Sequence, residues 1–319
     1  MATAMVVLRF VALAAAQSPP VGPALALPTI FHSSMVLQHS QATVFWGVAW
    51  PGQKVSVALS GATPLSATAA AADGRFAVTL PPQPPSLTPR TLTVTAAAHV
   101  LTLTDVVFGS VYVCSGQSNM GLQVSATINA TQEVAAAGSH GTGLRLMQVR
   151  TEDAYWNVSS PQDNLTASVP WGRASPANAG GFSALCYYFG VEQARRYPAM
   201  PVGMIASAWG GTAIETWMTP EALSACGNPL AAGAPSGTDA ATVSLGALRM
   251  NPDPGLEIYQ PLLAGVAPPP PKHPTPGACP SLPSTLFNGM IAPLLTLHID
   301  GFLWYLLLRG ISTPQNPNC

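Results

Sequence analysis

The chain has 319 residues, of which only 8% are charged, and a formal net charge of −1. That length supports a sizeable core and most naturally two domains, and the near-neutral balance provides no basic surface for a nucleic-acid backbone. No stretch reaches the roughly 20 consecutive apolar residues of a membrane span, and the five cysteines and six histidines show no zinc-ligand spacing, so no metal site is expected.

In chain order, Met1 to Ala16 is apolar around Arg9, and Ala14-Ala15-Ala16 offers small residues for cleavage ahead of Gln17. This reads as a secretory signal within a leader over 1–23. Residues 24–103 hold short alternating apolar runs, Ala42 to Trp46, Lys54 to Leu59, Phe76 to Leu80 and Thr91 to Thr95, punctuated by Pro51-Gly52 and Asp73-Gly74. Regular short strands with such turns predict a β-sandwich-like domain. From Thr104 onward strands alternate with helical patterns, the clearest over Phe182 to Tyr197 and closed by Pro198, which predicts a three-layer α/β domain over 104–319. Within it, residues 227–284 are rich in glycine, alanine and proline, including Pro268 to Pro271, and read as a disordered or loosely held insertion. A last strand is expected near Gly301 to Leu308.

Two turns carry the chemistry. The apolar run Val106 to Cys114 ends in Ser115-Gly116-Gln117-Ser118-Asn119-Met120. A hydroxyl on a tight bend at a strand's carboxyl end is a nucleophile's position, so Ser118 is the candidate. About ninety residues on, Pro201-Val202-Gly203-Met204-Ile205-Ala206-Ser207-Ala208 runs into Trp209-Gly210-Gly211-Thr212, where glycine amides are free to meet an oxyanion. For acyl transfer both turns must share one edge of the sheet.

A third block, Leu286-Phe287-Asn288-Gly289-Met290-Ile291-Ala292-Pro293-Leu294-Leu295, leads to Gly301-Phe302-Leu303-Trp304-Tyr305. In order and spacing, the three blocks resemble the sialate O-acetylesterases, carbohydrate esterases of the SGNH-hydrolase superfamily, over residues 28 to 305. The resemblance implies an SGNH-hydrolase-like α/β domain and removal of O-acetyl groups from sialic acids or other acetylated glycans, by a serine nucleophile with no metal or cofactor. It assigns the nucleophile and an oxyanion amide to Ser118, further oxyanion donors to Gly210 and Gly211, and substrate binding to Gln117, Asn119, Trp209, Thr212 and Glu215. For Glu215, helix capping is the competing role. An O-acetylated sugar in the secretory route, lysosomal or extracellular, is the implied partner; the oligomeric state is left open.

The family continues after Trp-Tyr with Gln-Gly-Glu and, much later, Asp-x-His. Here Trp304-Tyr305 is followed by Leu306-Leu307-Leu308-Arg309-Gly310 and a tail to Cys319. The expectation is a poor esterase or none; a non-catalytic glycan-binding or regulatory isoform and a non-functional splice or gene-model product are the alternatives. Of His32, His39, His99, His140, His273 and His298, only His298-Ile299-Asp300 sets an acid beside an imidazole, and it precedes the Trp-Tyr landmark, so it reads as a solvated strand end. Cys226 and Cys279 bracket the insertion and are expected to pair, while Cys114 and Cys186, in apolar runs, read as plain core residues and Cys319 is left over. Three sequons, at Asn129, Asn157 and Asn164, accord with a secretory route.

Overall fold

The computed structural model describes residues 25–69, 73–140, 143–151, 155, 158–225 and 282–306. The expected signal segment, most of the insertion and the Cys226–Cys279 pair lie outside these residues.

The first half is built from β1 (Leu25–Ala26), β2 (Val36–Gln38), β3 (Thr43–Ala49), β4 (Lys54–Leu59), β5 (Leu65–Thr68), β6 (Arg75–Leu80) and β7 (Ser86–Ala96). Strands β1, β3 and β6 form one antiparallel sheet, while β5, β4 and β7 form another that continues onto β8 (His99–Gly116). Side chains alternate between the two faces of a strand, so β6 buries Phe76, Val78 and Leu80 and exposes Arg75, Ala77 and Thr79. Those residues and Phe45 share one core with Val55, Val57, Leu59, Leu92 and Val94 of the second sheet. Two inward apolar faces closing on each other make the expected sandwich.

Strand β8 is 18 residues long and runs straight through the expected boundary at 103/104. Its first part pairs antiparallel with β7, and its last seven residues, Ser110 to Gly116, pair parallel with β11 (Val202–Ala208). Between these parts the register slips: Leu92 faces Leu103 but Arg90 faces Val106, an extra residue on β8, and Asp105 takes a left-handed φ of 57°. Such a bulge bends and twists the strand. Here it turns one sheet into the next.

An ion cluster holds this bend. Asp105 Oδ1 accepts from Arg145 Nη2 at 3.0 Å and Arg173 Nη2 at 2.7 Å, and Oδ2 accepts from Arg173 Nε at 3.1 Å and the Ser34 hydroxyl at 3.0 Å. Arg145, whose side chain is 1% exposed, also donates to the Asp105 carbonyl. Burial raises the Asp105 pKa, but the Arg173 hydrogen bonds, the Arg145 charge and Ser34 outweigh it and draw the carboxyl from 3.8 to about 2. A depressed carboxylate pKa gives stability that is complete above about pH 4 and is lost as pH falls through about 2, worth about 2 kcal/mol by linkage. Removing the charge leaves Arg145 buried without its counter-ion. Asp105→Asn is therefore expected to lower the unfolding free energy by about 3 kcal/mol, read from urea melts at pH 7; a loss below about 0.5 kcal/mol, the range of an ordinary surface change, would show that the cluster does not hold the bend.

Beyond β8 come α1 (Ser118–Gly121), α2 (Ala130–Ala136), β9 (Leu144–Val149), β10 (Ala167–Arg173), α3 (Pro176–Ala179), α4 (Ala184–Arg196), β11, α5 (Pro220–Ala225), a π-helical turn at Phe287–Ile291 and β12 (Gly301–Tyr305). The parallel strands lie in the order β9, β11, β8, β12, with β10 antiparallel outside β9. On one face Cys114, Leu146, Met204 and Ala206 pack under Met120, Phe182, Cys186 and Tyr187 from α1, α4 and the approach to α4. On the other, Val111, Val113, Met147 and Ile205 meet Trp209, Trp217, Leu286, Met290 and Leu294, in a core continuous with the sandwich. The α/β domain therefore has its three layers.

The helix expected over Phe182 to Tyr197 is α4, started by the Ser183 hydroxyl accepting from the Cys186 amide at 3.2 Å. One reading is corrected. Cys114 and Cys186 are not plain core thiols: both are fully buried, and they form a disulfide that ties β8 to the first turn of α4.

Candidate functional site

In the parallel register Gly116 lies opposite Ala208 on one side and Tyr305 on the other, so three strands finish together. The turn after β8 starts at this edge. Gly116 has φ 139°, and a Cβ there would collide with the Tyr305 carbonyl oxygen, so only glycine fits. The Gln117 amide donates to that same Tyr305 oxygen at 3.1 Å, and the Trp209 amide donates to the Gly116 oxygen at 3.0 Å. The chain then turns into α1 with Ser118 and Asn119 exposed and Met120 buried. Ser118 thus stands clear of the packing that fixes its neighbours.

The second turn meets it there. A Cβ built on Gly210 would sit 3.3 Å from Ser118 Cβ and 3.4 Å from Ser118 Cα, which puts the Gly210 backbone directly against the serine. Gly211 follows at φ 80°, and both glycines are exposed. The Thr212 hydroxyl closes this turn, donating to the Trp209 carbonyl at 2.8 Å and accepting from Trp217 Nε1 at 2.8 Å. Ser118, Gly210 and Gly211 are therefore brought to one edge of the sheet.

The remaining expected residues divide. Asn119 is exposed beside Ser118. Gln117 and Trp209 are 5% exposed, and Thr212, at 2%, has its hydroxyl committed to the turn. These three shape the site from beneath. Glu215 falls in the 3₁₀ turn Ile214–Trp217, whose N-cap, Ala213, makes no side-chain bond; its Oε2 is buried with no hydrogen-bond partner, so it supplies no cap. Ser115 Oγ and Asn288 Oδ1 are likewise buried without partners on the same side of the molecule, the Asn288 amide group donating to Val158 O at 3.0 Å.

No imidazole joins the described part of this edge. Gly301 faces Tyr112, so His298 precedes β12 at its amino end, at least about 13 Å along the strand from Tyr305. His140 lies just before β9, whose Leu144 shares the level of Val202 and Ser110, again at the amino ends. It bonds Glu133 at 2.6 Å, and Glu133 also accepts from the Tyr187 phenol, whose pKa is raised by burial and by that carboxylate. His39 pairs loosely with Asp300 at 4.0 Å, while His32 and His99 belong to the sandwich half. His273 lies outside the described residues.

A family model for carbohydrate esterases, sialic acid-specific acetylesterase, matches residues 109–226, the segment that carries both turns. The human sialate O-acetylesterase is 29% identical over 289 residues, covering 86% of this chain and 47% of that protein; the Rattus norvegicus sialate O-acetylesterase is 30% identical over 289 residues, covering 85% and 49%. The chain is similar to the sialate O-acetylesterases over most of its own length. It spans about half the length of the relatives it matches. A carbohydrate acetylesterase from Xanthomonas citri superposes with a TM-score of 0.65 at 28% identity, over 88% of this chain and 51% of that one. That likeness extends over both halves, sandwich sheet and α/β layers.

Sequence reading missed the disulfide and the Asp105 cluster. The second had a signal, Arg145 inside the apolar run of β9, since a charge there needs a buried partner. Among the described residues no helix is long and apolar enough to cross a membrane.

Proposed function

We propose that the edge formed by Ser118, Gly210 and Gly211 is an O-acetyl-ester site for sialic acid or other acetylated sugars, with Ser118 as the nucleophile. The observation that carries this reading is the contact of Gly210 with Ser118. It sets the exposed Ser118 beside a glycine that has no side chain in the way. In acyl transfer Ser118 Oγ attacks the acetyl carbonyl while the amides of Ser118 and the glycine turn carry the developing oxyanion. Asn119 lies where it can contact the sugar. The secretory route, lysosomal or extracellular, is supported by the Cys114–Cys186 disulfide, because such bonds persist in oxidising compartments.

The second reading is binding without turnover. It is favoured by the five described histidines, none of which lies beside Ser118, where a base would have to stand. Both readings require recognition of the acetyl group, which ligand-observed saturation-transfer NMR measures on the purified chain. An O-acetylated sialic acid methyl glycoside is expected to show its strongest saturation at the acetyl methyl, and Gly210→Val, whose side chain would press on Ser118, to abolish it. Equal binding of the de-O-acetylated sugar would sink the assignment.

A further inference from the structure

We infer that Asn129 carries an N-linked glycan whose first sugars cover an apolar surface beside α4. The surface is made by Leu122 (38% exposed), Ile128 (74%), Leu185 (40%) and Tyr188 (37%). Backbone bonds bring these residues together: the Ala184 amide donates to the Leu122 carbonyl at 2.7 Å and the Val124 amide to Phe182 at 3.0 Å, while the Thr127 and Tyr188 hydroxyls meet at 3.0 Å. The occupant attached to it follows from the next residue. Asn129 directly succeeds Ile128 and opens the sequon Asn129-Ala130-Thr131.

The structure separates this sequon from the one at Asn164. Asn129 is exposed, holds a left-handed conformation at φ 58° and ψ 25° just ahead of α2, and makes no side-chain capping bond, so its carboxamide points to no protein partner. Asparagine tolerates that conformation better than most residues. Thr131 is exposed as well. By contrast, Asn164 Oδ1 accepts from the Thr29 amide at 2.7 Å and the Leu165 amide at 2.9 Å, which fixes its carboxamide to the sandwich. Asn157 lies outside the described residues. An exposed apolar patch on a single chain generally marks something that covers it. A covalently attached sugar is held at the patch at no cost in association entropy.

The step is a group transfer. Asn129 Nδ2 forms a bond to C1 of an oligosaccharide as the bond from C1 to a polyisoprenyl diphosphate breaks; the amide loses one proton and the lipid diphosphate leaves. The inference rests on the secretory route proposed above. The experiment is secretion of the full chain from cultured animal cells, with glycopeptide mapping, beside Asn129→Gln, Thr131→Ala and Asn164→Gln. Asn129→Gln and Thr131→Ala should each run lighter by a single glycan, and enzymatic release of the glycan from the native fold should increase binding of an apolar-surface dye. A secreted chain with Cys114 and Cys186 joined, another sequon occupied and Asn129 bare overturns this inference and leaves the route standing. Free thiols with every sequon bare overturn both. Occupancy of Asn129 with unchanged dye binding after release overturns the covering role.

Discussion

On 4-nitrophenyl acetate and on an O-acetylated sialic acid, the purified chain is expected to turn over no faster than its Ser118→Ala variant. The serine is well placed, exposed on its turn with Gly210 against it. Among the described residues no imidazole stands beside it, since the described histidines lie at the amino ends of the strands or in the sandwich half. A serine hydrolase stripped of its base loses on the order of a million-fold in rate. The amides at the glycine turn stabilise an oxyanion only after Oγ has attacked, and a neutral hydroxyl attacks an ester poorly. Ser118→Ala itself removes one exposed hydroxyl and should move stability by no more than about 0.5 kcal/mol, so the variant is a fair baseline. Serine-dependent turnover near or above about 1 per second, an ordinary enzyme rate, would refute the expectation. It would also require an imidazole to reach Ser118, His273 being the histidine whose position is not described.

The parts of this architecture that were legible in the sequence are those with a short-range cause. Strand β6 alternates buried and exposed residues because one of its faces meets a second sheet, and that period of two is visible in Arg75 to Leu80. Gly116 and Gly210 were visible because each stands where a side chain would strike Tyr305 or Ser118, and glycine at a strand end is a strong local mark. The convergence of the two turns followed from the requirement that nucleophile and oxyanion donors face one carbonyl. In the structure the two turns do share one edge, through the parallel register of β8 and β11.

What escaped has a long-range cause. No local pattern says that β8 continues from one sheet into another, because the run from His99 to Gly116 reads as two adjoining strands; the bulge at Asp105 is defined by Arg145 and Arg173, 40 and 68 residues away. The resemblance assigned Thr212 to substrate binding, yet a hydroxyl there also completes a turn, and in the structure it bonds the Trp209 carbonyl and the Trp217 indole. Glu215 shows the same ambiguity, with an outcome that neither capping nor an exposed contact describes: a buried carboxylate oxygen with no hydrogen-bond partner. Cys114 and Cys186 were the hardest to read, for a thiol in an apolar run and half of a buried disulfide have the same sequence surroundings. The loop-bracketing pair Cys226 and Cys279 attracted the pairing expectation, and the bond found among the described residues is between two cysteines of the core.

Replacing both Cys114 and Cys186 by alanine is expected to lower the unfolding free energy by about 4 kcal/mol, the chain-entropy value for a bond closing a loop of this size, their sequence separation being 72 residues. The bond removes freedom from the unfolded chain, and in the folded chain it joins the carboxyl end of β8 to the start of α4. That junction also holds the Ser118 turn: the Ser183 hydroxyl donates to the Met120 carbonyl at 2.6 Å and the Ala184 amide to Leu122 at 2.7 Å, lashing α1 to the same helix end. Loss of the bond should therefore appear in two measurements. Thermal unfolding should fall by on the order of 10 °C, and amide hydrogen exchange should quicken first over Gln117 to Leu122 and the first turn of α4, with the sandwich strands β3 and β6 unchanged. Adding a reductant to the folded wild-type chain should act slowly, because both sulfurs are fully buried and exchange requires access. A double variant that melts within about 2 °C of wild type would show that packing around Met120, Phe182 and Tyr187 already fixes the turn. Exchange that quickens uniformly, without a lead at the turn, would show that the bond serves global stability and does not position Ser118.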